Sequence, residues 1–195
     1  MKPNEIEAES FRIIESIVDY KAIPASEWQV TRRMIHACGD PAIIDTVRIS
    51  ANFMANVKAG TPIVCDVNML KSGLSAKVKA NFDVHCFIDN QEVAATAREL
   101  GVTRAKTAMR YAAARYPEAV YLIGNAPTAL LELIELYNSG KIAPALVVGI
   151  PVGFVMAAES KDLLINTTLK YVTNLGYKGG SPMTAAAMNA IALIE

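Results

Sequence analysis

Arg32, Arg33 and His36 stand four and three residues apart in one stretch of the chain. On a helix both intervals bring side chains to neighbouring positions of one face. A histidine beside fixed guanidinium charge tends to stay neutral, and it can then donate one N–H to an anion or a heteroatom. An ordinary surface histidine is the competing reading of His36. The only other histidine, His85, falls between Val84 and Cys86 in the apolar run Asp83–Ile88, where a satisfied core or edge position accounts for it. Ser10 is a different oddity: a hydroxyl in the stripe Ile6, Ser10, Ile13 or Ile14, Ile17, which has helical spacing and should be buried. A serine bonded back to the carbonyl four residues earlier explains it without any function.

Other chemistries are poorly served. There is no GxSxG elbow, no GxGxxG fingerprint, and Lys178-Gly-Gly-Ser181 lacks the glycine spacing of a phosphate loop. Cys38, Cys65 and Cys86 form no CxxC pair, so a disulfide scaffold is not expected, and Cys65 or Cys86 with a distant histidine is only a loose nucleophile pairing. No second histidine or cysteine lies three or four residues from a histidine or cysteine, Cys38 stands only two after His36, and no metal site is expected.

Three turns share a pattern that suits anion binding: Gly124-Asn-Ala-Pro-Thr-Ala129, Pro151-Val-Gly-Phe-Val155 and Gly176-Tyr-Lys-Gly-Gly-Ser-Pro182. Glycine or a small polar residue comes first, with Asn125 and Ser181 as natural caps, and proline falls near the first helical turn. Helix N-termini in such turns present free N–H groups to carboxylates or phosphates. The same turns also serve merely to connect elements.

The scaffold must hold these residues in place. The chain has 195 residues, enough for one domain with a substantial core, and 52% hydrophobic against 19% charged residues excludes disorder. Nineteen basic and nineteen acidic residues cancel, so no global field attracts nucleic acid or an anionic membrane. The acidic N-terminus lacks the apolar core of a signal peptide, and the longest uncharged run, 142–158, is broken by Pro144, Gly149, Pro151 and Gly153. A soluble, cytoplasmic protein is expected. Helices are expected from an Asn4 cap to Val18, from a Ser26/Gln29 capping box to Gly39, and from Arg48 to Ala59, the last on Ile49, Phe53 and Val57. Apolar strands at 61–67, 83–88, 119–124 and 144–150, with a fifth within 169–174, alternate with helices near 89–100, 103–116 and 126–139, and a final helix spans 181–194. Near-continuous apolar strands between amphipathic helices predict an α/β domain over 1–195: a mainly parallel sheet covered on both faces, with helical N-terminal decoration. Ligands then bind outside the carboxyl ends of the strands.

Six blocks carry a family resemblance: Ser10-Phe-Arg-Ile-Ile14, Arg33-Met-Ile-His-Ala-Cys-Gly39, Gly124-Asn-Ala-Pro-Thr-Ala-Leu130, Pro151-Val-Gly-Phe-Val155, Ala158-Glu-Ser-Lys161 and Gly179-Gly-Ser181. In this order they resemble precorrin-8X methylmutase, also called precorrin isomerase, which includes the cobalt-precorrin-8 methylmutases. The resemblance implies a flavodoxin-like three-layer α/β/α fold, a homodimer, and a corrinoid substrate near the subunit interface. It implies migration of one methyl group from C11 to C12 of the macrocycle, giving hydrogenobyrinic or cobyrinic acid in cobalamin biosynthesis. It implies no cofactor, since any cobalt arrives inside the substrate. By matching position, His36 is catalytic, and Ser10 and Arg33 contact the substrate. Thr103, Arg104, Asn125, Thr128, Gly179, Gly180 and Ser181 line the pocket. One departure is Tyr177, where the family often has a basic residue and this chain has tyrosine followed by Lys178. Two other functions fit the fold: a corrinoid carrier that catalyses nothing, and a flavin- or nucleotide-binding protein, which the missing phosphate loop disfavours.

Overall fold

The computed structural model describes residues 2–194. Helices α1 (Pro3–Ile17) and α2 (Ala25–Cys38) come first, followed by a 3-10 turn at Pro41–Asp45 and strand β1 (Val47–Ile49). The alternating region holds β2 (Ile63–Cys65), α3 (Asn68–Gly73), α4 (Ala76–Asn81), β3 (Val84–Cys86), α5 (Gln91–Leu100), α6 (Arg104–Ala113), β4 (Val120–Ile123) and α7 (Pro127–Asn138). It ends with β5 (Leu146–Gly149), α8 (Ala157–Ile165), β6 (Tyr171–Asn174) and α9 (Ser181–Ile191).

The strands form one sheet in the order β1-β6-β5-β4-β2-β3, parallel except for β1. Counted along the chain, the five parallel strands lie in the order 2-1-3-4-5, the flavodoxin-like arrangement, and the order reverses at β2. Side chains alternate between the two faces of a strand. Ile63, Cys65, Val120, Leu122, Leu146 and Val148 therefore pack under α1 to α4 and α9. Val64, Tyr121, Ile123 and Val147 pack under α5 to α8. Both faces are apolar, which is why these strands read as unbroken hydrophobic runs.

The expected helix over 48–59 is absent. Val47, Arg48 and Ile49 instead pair antiparallel with Asn174, Thr173 and Val172, and Asn52 turns the chain with a φ of 53°. Ile49, Phe53 and Val57 are spaced as on a helix, but an edge strand and the turn after it present them to the same core cluster. Two expected caps also move. The first helix starts at Pro3, and the N–H of the flanking Lys2 donates to Glu5 Oε2 at 2.8 Å, which places Asn4 inside the first turn. Pro24 flanks the second helix and puts Ser26 within it. The stop at Gly39 is as expected, with the left-handed φ of 65° that glycine adopts freely. Among the described residues, no helix is long and apolar enough to cross a membrane.

Candidate active site

His36 lies in the last turn of α2, exposed, facing α1. Ser10 Oγ is 2.7 Å from its Nδ1, so the serine in the apolar stripe bonds the imidazole rather than simply its own helix. Phe11 meets the ring edge-on, with centroids 5.6 Å apart. The hydroxyl and the phenyl fix the ring's orientation, and among the described residues Nε2 has no hydrogen-bond partner. The guanidinium carbons of Arg32 and Arg33 lie 4.1 and 5.2 Å from the Phe11 centroid. Arg32 Nη1 donates to Glu15 Oε1, and Arg33 Nη1 donates to Glu7 Oε1 at 2.8 Å. Arg33 is therefore not a bare cation: Glu7 on α1 holds it beside the histidine. The stripe that should bury α1 is covered only in part, since Ile14 is buried but Ile6, Ile13 and Ile17 are 55%, 48% and 59% exposed.

The turn after β4 differs from expectation. Asn125 does not cap α7 through its side chain. Asp66, at the end of β2 and wholly buried, sends Oδ2 into the turn, where it accepts the backbone N–H groups of Gly124, Asn125 and Ala126 at 3.2, 2.7 and 2.9 Å. These anion-binding N–H groups are already filled by a carboxylate of the protein itself. Burial pushes the Asp66 carboxyl above its ordinary range, against the pull of those donors. Its other oxygen, Oδ1, is buried without a partner among the described residues. On the far side of the sheet, Thr103 caps α6 by accepting the Lys106 N–H, and its hydroxyl lies 2.9 Å from that of Thr128 on α7. Arg104 follows on α6, exposed.

Ser181 likewise is the first residue of α9 and not its cap. The turn before it owes its shape to close backbone approach. A Cβ on Gly179 would sit 2.4 Å from the carbonyl oxygen of Ile150, and one on Gly124 would sit 2.8 Å from the Cα of Ser181. Gly180 donates its N–H to Ile150 O at 2.8 Å. All three strand-end turns therefore meet at one edge of the sheet. Tyr177 packs on Phe154 with centroids 5.5 Å apart, over an apolar cavity of about 610 Å³ that Ile43, Val152 and Leu175 also line. The Lys178 ammonium is paired with Asp40, just past the end of α2.

The expected residues thus fall into three groups. Ser10, Arg33 and His36 are joined across α1 and α2. Asn125, Gly179, Gly180 and Ser181 crowd the strand ends. Thr103, Arg104 and Thr128 belong to helices of the opposite layer. Among the described residues, no side-chain hydrogen bond links the first group to the third. The alternative nucleophiles are weak: burial pushes the Cys65 and Cys86 thiols up, and His85 is engaged with Asp83 Oδ2 at 2.8 Å and stacked on Tyr116. The Asp66 and Glu7 contacts and the burial of Lys161 escaped the sequence reading. For Asp66 the available signal was a single charge inside the apolar run 61–67; Glu7 and Lys161 stand among other charges and gave none.

Known proteins resemble the chain over nearly its whole length. The precorrin-8X methylmutase family model matches residues 5–194. A precorrin-8X methylmutase of Pseudomonas aeruginosa is 40% identical over 94% of the chain and 92% of its own length. A cobalt-precorrin-8 methylmutase of Priestia megaterium is 36% identical over 100% of the chain and 89% of its own length. The solved structure of the precorrin-8X methylmutase from Thermus thermophilus superposes with a TM-score of 0.88 at 35% identity, covering 97% of this chain and 95% of that one. The chain belongs to the precorrin-8X methylmutase family.

Proposed function

We propose that the protein is an isomerase that moves one methyl group from C11 to C12 of precorrin-8X or cobalt-precorrin-8, giving hydrogenobyrinic or cobyrinic acid. Family membership supports the reaction, and the Ser10–His36 pair carries the assignment of its acid. Substrate and product are isomers, so no atom enters or leaves and no net electrons are transferred. Cobalt, where present, travels as part of the substrate. What the shift needs is a lower barrier for a methyl group migrating along a conjugated system. Protonating or hydrogen-bonding a ring nitrogen draws density from that system.

His36 is placed for this role. Its Nδ1 is engaged by Ser10 and Nε2 has no partner among the described residues, so a ligand meets Nε2; in the neutral form that offers a proton there, Ser10 Oγ–H donates to Nδ1. In the imidazolium form, Nδ1–H donates to Ser10 Oγ while Nε2–H donates outward. Such positioned acid catalysis is typically worth roughly a hundred- to ten-thousand-fold in rate. Arg33, steadied by Glu7 and Phe11, is available to a rim carboxylate of the macrocycle.

A homodimer completes the site. The exposed Ile6, Ile13 and Ile17 of α1, with Phe154 and Val155 at 85% and 81% exposure, leave apolar surface for a second copy to cover. A second copy is also a way to bring Thr103, Arg104 and Thr128, which belong to the opposite helical layer, toward a histidine. On this reading the protein acts in the cytoplasm.

The test is the visible spectrum of precorrin-8X mixed with the protein, followed over time. Wild type converts it to the product chromophore, while His36→Ala binds it with little or no conversion. Conversion by His36→Ala at the wild-type rate removes the histidine from the mechanism, and binding without conversion by wild type with either substrate leaves only a carrier.

A further inference from the structure

Lys161 is the one lysine in the buried interior among the described residues, with no exposed surface at all. It projects from α8 beneath the last strand-end turn, and among the described residues no carboxylate comes within ion-pair distance. Its ammonium instead donates to the carbonyl oxygen of Lys178 at 2.7 Å and to Asn174 Oδ1 at 3.4 Å. Asn174 Nδ2 donates to the same Lys178 carbonyl at 2.9 Å, which closes a triangle of cation, amide and carbonyl. Burial pushes the ammonium down to about 8. An unpaired buried cation costs stability, and a methionine of similar length would fill the space more cheaply. A charge kept at such a cost points to a use other than folding.

The use follows from what the carbonyl belongs to. Directly after Lys178 come Gly179 and Gly180, pressed against the Ile150 carbonyl, and then Ser181 against Gly124. The Lys178 side chain reaches Asp40, just past the end of the helix that carries His36. We infer that Lys161 is a positioning residue for the substrate: by gripping the Lys178 carbonyl from below, it sets the Gly179-Gly180-Ser181 turn in the geometry that receives the corrinoid. It touches no reacting atom. The inference deepens the functional reading above and rests on it for the identity of the ligand.

Lys161→Met tests it, with wild type in parallel, on three readouts: precorrin-8X kinetics, unfolding in urea, and hydrogen exchange at the Gly180 amide. A lost binding contact raises KM and leaves kcat nearly alone, so the variant should show KM raised by about tenfold or more with kcat within about twofold. It should be at least as stable as wild type, and the Gly180 amide should exchange faster. Rescue sharpens the reading: Lys161→Ala should regain affinity with propylammonium and not with propanol. An unchanged KM with an unchanged Gly180 exchange rate overturns the inference, as does a variant whose only change is lost stability. If Lys161→Met does not fold, Asn174→Ala, which removes the other donor to the same carbonyl, must give the same rise in KM. Should wild type itself fail to convert the substrate, the functional reading falls, while Gly180 exchange in Lys161→Met still decides whether Lys161 sets the turn.

Discussion

Two turns at the same edge of the sheet are each held by a buried charge, and the charges have opposite signs. Asp66 fills the turn after β4 with a carboxylate that meets three backbone N–H donors. Lys161 supports the turn after β6 with an ammonium that meets one carbonyl and one amide oxygen. The first arrangement closes on itself: the donors of the turn are consumed and its shape is a matter of folding. The second leaves the side chains of Tyr177 and Lys178 exposed, while the Gly180 N–H goes to Ile150 O and the grip is applied through the Lys178 carbonyl. Buried charge thus serves architecture in one case and presentation in the other, and substitutions should separate the two.

Asp66→Ala should have the largest effect. It strands three backbone donors, and at roughly 1–3 kcal/mol for each unsatisfied group the loss should be about 3 kcal/mol or more, read as a lower urea midpoint. Asp66→Asn keeps an acceptor and should recover most of it. Gly179→Ala comes next, because the new methyl meets backbone rather than a pliable side chain. A cost of about 1–3 kcal/mol is expected, as for other overpacked sites, with a larger rise in KM than the loss of stability alone explains.

Lys161→Met should change stability by less and in the opposite direction, and with a pH signature. Folding lowers the ammonium to about 8, so between there and the ordinary lysine range near 10.5 the unfolded chain binds the additional proton. Wild-type stability therefore rises with pH across that window relative to the variant. The variant's advantage should be widest below pH 8 and close above it; a pH-independent difference in urea midpoints would contradict the assignment of a buried ammonium. Asp40→Asn should matter least. Lys178 holds the Asp40 carboxyl below its usual range, so any contribution is lost as pH falls through that lowered value, and it should vanish in 1 M salt.

The same comparison explains what could be read from sequence. The strands at Ile63, Val120 and Leu146 announced themselves because both faces of a parallel sheet are buried. Gly39 announced the end of the helix bearing His36. Helix α8 did not announce itself, because Ser160 and Lys161 point inward and spoil its apolar period. Strand β1 was mistaken for a helix because its partner, β6, lies more than a hundred residues away and leaves no local trace. Ser10 was visible as an anomaly, and its cause was not, since the partner is 26 residues distant on another helix. Asn125 and Ser181 looked like caps by type. The first turn took its acceptor from Asp66 instead, a contact spanning about sixty residues. A single charge inside an apolar run, such as Asp66, is a signal that a reading by period discards, whereas Lys161 is hidden between Glu159 and Asp162.

The hold on residue 178 passes through its main chain. Nothing in the grip depends on which side chain that residue carries, and the neighbouring Tyr177 is half-exposed on Phe154. The turn behaves as a socket whose rim can be rewritten while its mounting stays in place. Libraries at 177 and 178 should keep the backbone of the turn, and so offer a route to mutases that accept macrocycles with altered peripheral groups.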